Sequence, residues 1–151
     1  MLHFAYGSNL SSRFLKQYCP TAKFVMRAFL PNFRVSFPFY SQRRKGGISS
    51  IILDPGNVVR GVVYEVHDNE METLDEVKSV PKGHYKRETY LVLGDDGQLH
   101  KANLYRVVKP EGPFTPAASY LELMMEGAEE HGLDADYLES LRKLFQTVSS
   151  L

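Results

Sequence analysis

The main change in the spacing of apolar residues along this sequence occurs close to Pro113. Before that point, residues 23–26 and 33–37 carry apolar side chains at every second position, which is the period of a half-buried β-strand. After it, apolar residues recur at intervals of three and four, which is the period of an amphipathic helix. Because strands come first and helices mainly last, the pattern predicts an α+β domain and argues against a doubly wound parallel sheet.

Turn residues divide the strand region into short segments. Pro20, Pro31 and Pro38 are expected to interrupt strand pairing, because proline has no N–H group to donate to a ladder. Residues 54–57, Asp-Pro-Gly-Asn, predict a turn, and residues 94–97, Gly-Asp-Asp-Gly, predict a hairpin between strands at 85–93 and 98–107. This arrangement is typical of a meander or a small barrel.

Capping residues mark the expected helix boundaries. Asp68 is placed to cap a short helix that follows the first strands. Thr115, with Pro116 at the first helical position, predicts the start of a longer helix. Gly132 predicts the end of that helix, and Asp134 is placed to cap the last one.

Length and composition limit the number of domains and the classes of partner. At 151 residues with 43% hydrophobic content, residues 1–151 are expected to form a single domain with one core. Lys and Arg total 18, as do Asp and Glu, so the charge balance predicts neither a nucleic-acid nor a membrane partner. Cys19 is the only cysteine and the five histidines lack paired spacing, which argues against a metal site. The lone cysteine and the lack of a leader-like or long apolar segment favour a cytoplasmic protein.

An apolar strand at the start of the chain runs directly into a Gly-Ser-Asn turn. Gly7 allows a sharp turn, Ser8 or Asn9 can cap a helix that begins at Leu10, and the free N–H groups of its first turn converge. Such a group of donors suits a carboxylate or phosphate. A well-capped turn without any ligand explains the same residues equally well.

A second glycine turn follows a short basic run. Gly46 and Gly47 precede a strand, and the backbone amide of Gly47 can approach a ligand because no side chain blocks it. A hairpin or a bulge is the alternative explanation. The adjacent Arg43, Arg44 and Lys45 suit an anion, although a basic loop is often only solvated.

Eight short segments, spread over nearly the whole chain, have the order and spacing of one known family. They are Tyr6-Gly7-Ser8-Asn9-Leu10, Gly46-Gly47-Ile48, Gly61-Val62-Val63-Tyr64, Leu74-Asp75-Glu76, Tyr85, Tyr105, Gly127-Ala128 and Gly132-Leu133. In this combination the sequence resembles the gamma-glutamylcyclotransferase family, which has an AIG2-like fold. The resemblance implies a small mixed β-barrel with flanking helices and a central cavity.

The resemblance also implies a reaction and a set of site residues. The α-amine of a gamma-glutamyl substrate attacks its own γ-carbonyl, which closes 5-oxoproline and expels an amino acid or amine without cofactor or metal. By this likeness Tyr6, Gly7, Ser8, Asn9 and Leu10 would hold the glutamyl end of the substrate. Tyr85 and Tyr105 would line the cavity.

The resemblance breaks at the residue that should move a proton. Family members carry a glutamate three residues after the aspartate of the Leu-Asp pair, and that glutamate takes the proton from the attacking amine. When Leu74-Asp75 is aligned without a gap, Lys78 occupies this position. A lysine with its ordinary pKa of about 10.4 is protonated at neutral pH, so a role as base requires burial to lower that pKa. Alternatively, Lys78 places its charge beside the last carbonyls of a short helix.

Nearby carboxylates are the other candidates for the missing base. Glu76 lies two positions from Lys78, about 160° around a helix, and so faces elsewhere. Asp75 is closer to the same face, and a rearranged loop could bring in Glu72 or Glu88.

Two functional hypotheses follow from these residues. The first is a gamma-glutamylcyclotransferase-like enzyme that acts on a gamma-glutamyl amine or amino acid with an altered acid/base residue. The second is a non-catalytic homologue in which Lys78 pairs with a small acidic metabolite in the same cavity. Phe39 and Tyr40 are aromatic positions that would suit a homodimer contact.

Overall fold

The computed structural model describes residues 1–151 and contains a closed five-stranded barrel. Its strands are β1 (Leu2–Ala5), β2 (Lys23–Ser41), β3 (Gly46–Glu65), β4 (Tyr85–Gly94) and β5 (Leu99–Val107), in the spatial order β1-β3-β2-β4-β5. All neighbours are antiparallel except β1 and β5, which close the barrel in parallel where His3 is paired with Asn103. The α+β barrel predicted from the sequence is therefore confirmed.

Four helices flank the barrel. They are α1 (Ser12–Leu15), α2 (Asp68–Val77), α3 (Ala118–Glu130) and α4 (Ala135–Ser149), and a single 3-10 turn (Ser8–Leu10) precedes α1. Helix α3 packs against both the 3-10 turn and α4. None of the helices combines the length and the apolar character needed to cross a bilayer.

Strand β1 is buried on both faces, and this holds the residues after it in place. Phe4 belongs to a buried cluster built from strand residues and Tyr6. The next residue, Ala5, belongs to a second buried cluster, which also contains helical side chains such as Leu74 and Leu121. Because successive side chains of a strand point to opposite faces, β1 joins the strand cluster to the layer of helices. The segment that leaves β1 is thus fixed between them.

The long strands β2 and β3 absorb their turn residues as bulges. The registers shift between Pro31 and Phe33 and again between Ser36 and Phe39, so the prolines bend β2 without ending it. Residues 54–57 of β3 lie between Leu53 and Val58, whose partners are Phe33 and Pro31. The predicted turn at 54–57 is therefore wrong, because the extra residues extend a bulge and the chain does not reverse.

Three helix starts differ from the sequence-based prediction and one agrees. Ser11, and neither Ser8 nor Asn9, accepts the capping hydrogen bond of α1, from the N–H group of Phe14. Helix α3 begins at Ala118, because the segment before it is extended and the Thr115 carbonyl accepts from the Gly47 N–H group at 2.7 Å. The predicted cap of α4 by Asp134 and the predicted stop at Gly132, which has a φ of 65°, are confirmed. Asp68 is the first residue of α2 and makes no capping hydrogen bond.

Candidate active site

A cavity with two adjoining parts lies beside the 3-10 turn. The inner recess has a volume of about 20 Å³, which holds one water-sized group. The outer part has a volume of about 450 Å³, and both parts share Ser8, Lys78, Tyr85 and Tyr120 in their walls. No aspartate or glutamate lines either part. A ligand in this cavity would therefore meet aromatic, hydroxyl and cationic groups.

The turn that follows β1 presents backbone donors to the cavity. Within the turn, the Leu10 N–H group donates to the Gly7 carbonyl at 3.0 Å, and the Ser11 N–H group donates to the Ser8 carbonyl at 3.2 Å. The earlier N–H groups of the turn have no helical partner, as is usual at the start of a helix. These donors suit the carboxylate end of a small molecule.

Gly7 is required by the close approach of this turn to two polar side chains. A Cβ atom at this position would lie within 3 Å of both Tyr120 Oη and Ser49 Oγ. These two oxygens are hydrogen-bonded to each other at 2.7 Å. A side chain at residue 7 would therefore separate the turn from the wall of the cavity.

His3 is a neutral, oriented imidazole in the wall of the inner recess. It is 1% exposed, and its Nδ1 lies 2.8 Å from Asn103 Oδ1. Because an amide oxygen can only accept, Nδ1 carries the hydrogen and Nε2 presents a lone pair. Asn9 Nδ2 lies 3.4 Å from Nε2, whereas Asn9 Oδ1 is buried without a partner. Burial lowers the pKa of His3 to about 4, the Asn103 bond opposes this, and the charges of Lys78 and Arg87 add to it.

The neutrality of His3 makes protein stability depend on pH. The unfolded chain binds a proton at His3 below pH 6.5 and the folded chain only below about pH 4, so the unfolded state holds more protons between these values. This contribution to the free energy of unfolding is complete above pH 6.5 and is lost as the pH falls to 4. We expect it to be about 3 kcal/mol.

Urea unfolding of the natural protein and of His3→Gln at pH 7 and pH 4 measures this contribution. The natural protein should lose about 3 kcal/mol more than the variant between the two pH values, because only it has the buried imidazole. Equal losses in both proteins would show that His3 is protonated normally in the fold.

The phenol of Tyr105 is held at the cavity wall by a charged pair. Tyr105 Oη donates to Asp75 Oδ1 at 2.5 Å, and Arg87 contacts both oxygens of the same carboxylate at 3.0 Å. Burial raises the pKa of Tyr105, and the bond to Asp75 acts in the same direction. Asp75 is thus fully engaged on the far side of Tyr105, so it does not present a free carboxylate to the cavity.

Two further phenols of the cavity, those of Tyr6 and Tyr85, are fixed by backbone carbonyls. Tyr85 Oη donates to the Ser49 carbonyl at 2.7 Å, and Tyr6 Oη donates to the Tyr105 carbonyl at 2.5 Å. Burial raises the pKa of both Tyr6 and Tyr85. These side chains therefore remain neutral and serve as rigid walls.

Lys78 is at the same time the C-cap of α2 and a cavity residue. Its N–H group bonds to the Leu74 carbonyl at 2.9 Å, while its Nζ lies 5.6 Å from the centroid of the Tyr85 ring. Lys78 Nζ makes no ion pair with any carboxylate of the protein. Burial lowers the pKa of Lys78, and the charges of Arg44 and Arg43 act in the same direction. Lys78 therefore ends α2 through its backbone and reaches the cavity with its side chain, so the two positions considered for it are compatible.

Tyr120 is the polar group of the cavity that is electrostatically coupled to Lys78. Burial by itself raises the pKa of Tyr120, but the charge of Lys78 and the hydrogen bonds with Ser49 and Ser8 outweigh burial and lower it. Lys78 and Tyr120 thus favour each other's charged forms.

The outer part of the cavity has a positively charged wall. Arg43, Arg44, Lys78 and His84 line it, and neither arginine makes an ion pair. The guanidinium carbon of Arg44 lies 5.5 Å from the ring centroids of both Phe14 and Tyr120, so this side chain is held between two aromatic rings. Uncompensated positive charge in a concave wall attracts anionic groups.

Seven of the nine site residues predicted from the sequence line the inner recess, namely Tyr6, Gly7, Ser8, Asn9, Lys78, Tyr85 and Tyr105. Leu10 lies outside it, fully buried, with its carbonyl accepting from Tyr64. Gly47 also lies outside, because its N–H and carbonyl groups bond to residues 115 and 117. The alternative bases Glu72, Glu76 and Glu88 do not line the cavity either.

The sequence-based prediction missed His3, Ser49 and Tyr120. His3 stands directly before the apolar part of the opening motif, and this position was the only signal of its place in the cavity. The helical spacing around Tyr120 indicates only a buried position, and nothing in the sequence around Ser49 predicts a contact with it.

Comparisons with known proteins show which proteins this chain is similar to. Residues 58–141 match the model of the AIG2-like family. The human gamma-glutamylcyclotransferase is 32% identical over 147 residues, which are 95% of this chain and 78% of that protein, and the bovine one is 30% identical over the same share. A solved structure of a gamma-glutamyl cyclotransferase has a TM-score of 0.89 and 27% identity, and the match covers 100% of this chain and 99% of that one.

Proposed function

We propose that this chain, which belongs to the AIG2-like family of gamma-glutamylcyclotransferase-like proteins, cyclises a gamma-glutamyl amine or amino acid to 5-oxoproline and releases the amine. The observation that carries the proposal is the convergence of seven predicted site residues, from four separate parts of the sequence, on the recess beside the 3-10 turn. The proposed reaction is intramolecular, so its main requirement is a cavity that folds the substrate on itself.

In the proposed complex, backbone N–H groups of the turn after β1 bind the α-carboxylate of the substrate. The phenols of Tyr85 and Tyr105, which are fixed by their own hydrogen bonds, confine the glutamyl chain. Confinement brings the α-amine toward the γ-carbonyl, and this positioning supplies a large part of the rate enhancement.

We assign Lys78 the altered acid/base position and place the γ-carbonyl of the substrate beside it. Its Nζ is in the cavity without a carboxylate partner, so it can donate a hydrogen bond to the oxygen on which negative charge develops. In a poorly solvated cavity such a donor stabilises the tetrahedral intermediate strongly. Burial lowers the pKa of Lys78, and the negative charge of an ionised Tyr120 opposes this shift.

Release of 5-oxoproline from a panel of gamma-glutamyl amino acids and amines tests this function. We expect turnover of at least one gamma-glutamyl compound and none of the matching α-glutamyl dipeptides, because only the former place a free α-amine within reach of an activated γ-carbonyl. The product is measured by liquid chromatography at high enzyme concentration. No 5-oxoproline from any member of the panel would contradict the proposed activity.

The charge of the outer wall favours a second candidate function, the binding of a small acidic metabolite without turnover. Three cationic side chains without ion-pair partners, Arg43, Arg44 and Lys78, surround this part of the cavity. Calorimetric titration with glutamate and 5-oxoproline distinguishes the two functions. Tight binding of either acid, together with no turnover of the panel, would favour the second.

A further inference from the structure

We propose that His3 is the catalytic proton acceptor of this chain, receiving the proton of the attacking α-amine at Nε2 and returning it to the leaving nitrogen. This inference rests on the proposed cyclotransferase activity. It identifies a histidine as the group that replaces the carboxylate absent from the cavity.

Barrel closure fixes the orientation of the His3 ring. His3 and Asn103 are the paired residues at which β1 and β5 meet, and their side chains are hydrogen-bonded at 2.8 Å. The Tyr105 ring packs edge-on against the imidazole, with centroids 5.6 Å apart. With Nδ1–H donated to Asn103, the lone pair of Nε2 is the only free proton acceptor of the ring. Asn103 is thus a positioning residue that selects the reactive tautomer.

The inner recess beside His3 has the size and the polar atoms that an amine needs. Its volume of about 20 Å³ is enough for one group of the size of a water molecule, such as an amino group. Asn9 Oδ1 is buried without a hydrogen-bond partner, which is costly unless a ligand donates to it. The contact between Asn9 Nδ2 and His3 Nε2 is long, at 3.4 Å, so a bound amine can displace it. Together, Asn9 Oδ1 and His3 Nε2 offer two acceptors to one amine.

The strength of His3 as a base matches that of an ordinary carboxylate. Burial lowers the pKa of its imidazole to about 4, close to the value of about 4.3 for a free glutamate side chain. The charged groups that face it are Lys78 at the end of α2 and Arg87 on β4, and both disfavour its protonated form. Asp75 on α2 pairs with Arg87 and accepts from Tyr105 on β5. His3 is therefore neutral, and able to accept a proton, throughout the physiological range.

The proton balance of the reaction closes with water as the only other participant. The α-ammonium group first loses a proton to water, the resulting amine forms a bond to the γ-carbon, the carbonyl oxygen takes the electron pair beside Lys78, and the excess proton of the nitrogen passes to His3 Nε2. When the carbonyl re-forms, the bond from the γ-carbon to the leaving nitrogen breaks. The imidazolium then gives its proton to that nitrogen, and His3 is neutral again.

Four proteins test the proposal: the natural chain, His3→Gln, Asn103→Asp and His131→Gln. His131 is the matched control, because it is also largely buried and hydrogen-bonded, to Tyr64, but does not line the cavity. For each protein, kcat and KM for 5-oxoproline release are measured from pH 3.5 to pH 8, and thermal unfolding reports whether it is folded. We expect His3→Gln to lower kcat by about 100-fold or more with little change in KM, because general base catalysis contributes that much. The His131→Gln control should keep the kcat of the natural protein.

The pH profile separates a proton acceptor from a merely structural histidine. Protonation of the substrate amine lowers kcat/KM over the whole acidic range in every variant. The natural protein should show a further loss of kcat/KM below about pH 4, and Asn103→Asp should move this acidic limb to higher pH, because a carboxylate beside Nδ1 favours the imidazolium. A folded His3→Gln protein whose kcat is within a few-fold of the natural value would overturn the role of His3 but not the proposed function. An acidic limb of kcat/KM that is unmoved in Asn103→Asp would have the same consequence. An inactive natural protein would overturn the proposed function together with this inference.

Discussion

Replacing Lys78 by methionine is expected to lower kcat for 5-oxoproline release by about 100-fold, which is the usual effect of removing one donor to an oxyanion. Methionine keeps much of the length and the apolar stem of lysine, and α2 ends through backbone bonds that the change does not touch. The loss therefore isolates the Nζ group. It is measured by steady-state kinetics with the best substrate of the gamma-glutamyl panel.

Lys82→Met is the matched control for this prediction. Lys82 lies four residues further along the chain, is exposed and does not line the cavity. We expect its kcat and KM to equal those of the natural protein. If Lys78→Met also retained full activity, the cation in the cavity would have no part in the chemistry.

Lys78→Glu separates the two functions proposed for the cavity. It restores the residue type that the family resemblance places at this position and removes one of the three cations of the outer wall. Increased 5-oxoproline release would show that the rest of the cavity is built for the cyclotransferase reaction. Loss of acidic-metabolite binding without any gain of activity would instead favour the binding protein.

Replacing Gly127 by alanine is expected to lower the free energy of unfolding by about 2–3 kcal/mol, although the same change on an exposed helix stabilises by about 1 kcal/mol. Gly127 lies in α3, and a Cβ atom there would lie within 3 Å of the carbonyl group and the Cβ atom of Leu10. Helix α3 would have to move away from the 3-10 turn. Urea unfolding at pH 7 measures the effect.

Ser140→Ala is the control for helix propensity in this measurement. Ser140 is an exposed residue of α4 whose hydroxyl bonds only within the helix, to the Tyr137 carbonyl. We expect its free energy of unfolding to change by no more than about 0.5 kcal/mol. A Gly127→Ala protein as stable as this control would show that the 3-10 turn and α3 can move apart without lowering the free energy of unfolding. A destabilised one should also lose turnover, since α3 carries Tyr120 into the cavity.

The elements that the sequence predicted well are those set by local rules. The hairpin at residues 94–97 and the cap at Asp134 depend only on residues within one turn of each other, and both are confirmed. The turn at 54–57 and the helix start at Thr115 were wrong for a shared reason. In both places, pairing with a strand distant in sequence determines the backbone, and local propensity gives no information about that pairing.

The cavity illustrates the same division. The sequence placed the opening motif, Tyr85, Tyr105 and Lys78 in a common site through a family resemblance, and the structure brings most of these residues together. Leu10 and Gly47 belong to the same motifs but lie outside the recess. Leu10 is buried in the core, and the backbone of Gly47 bonds to residues 115 and 117. A motif specifies residue order, whereas the direction of each side chain depends on what packs around it.

By itself, the sequence determined the fold class and the family, because alternation of apolar residues and motif spacing are properties of the chain. Only the tertiary structure decided which side chains line a cavity that has no carboxylate in its walls. Barrel closure pairs His3 with a residue 100 positions away and buries it, and this burial lowers its pKa to about 4. The same fold leaves Lys78 in the cavity without a counter-ion. Both effects arise from desolvation and charge proximity, which depend on contacts between segments that are far apart in sequence.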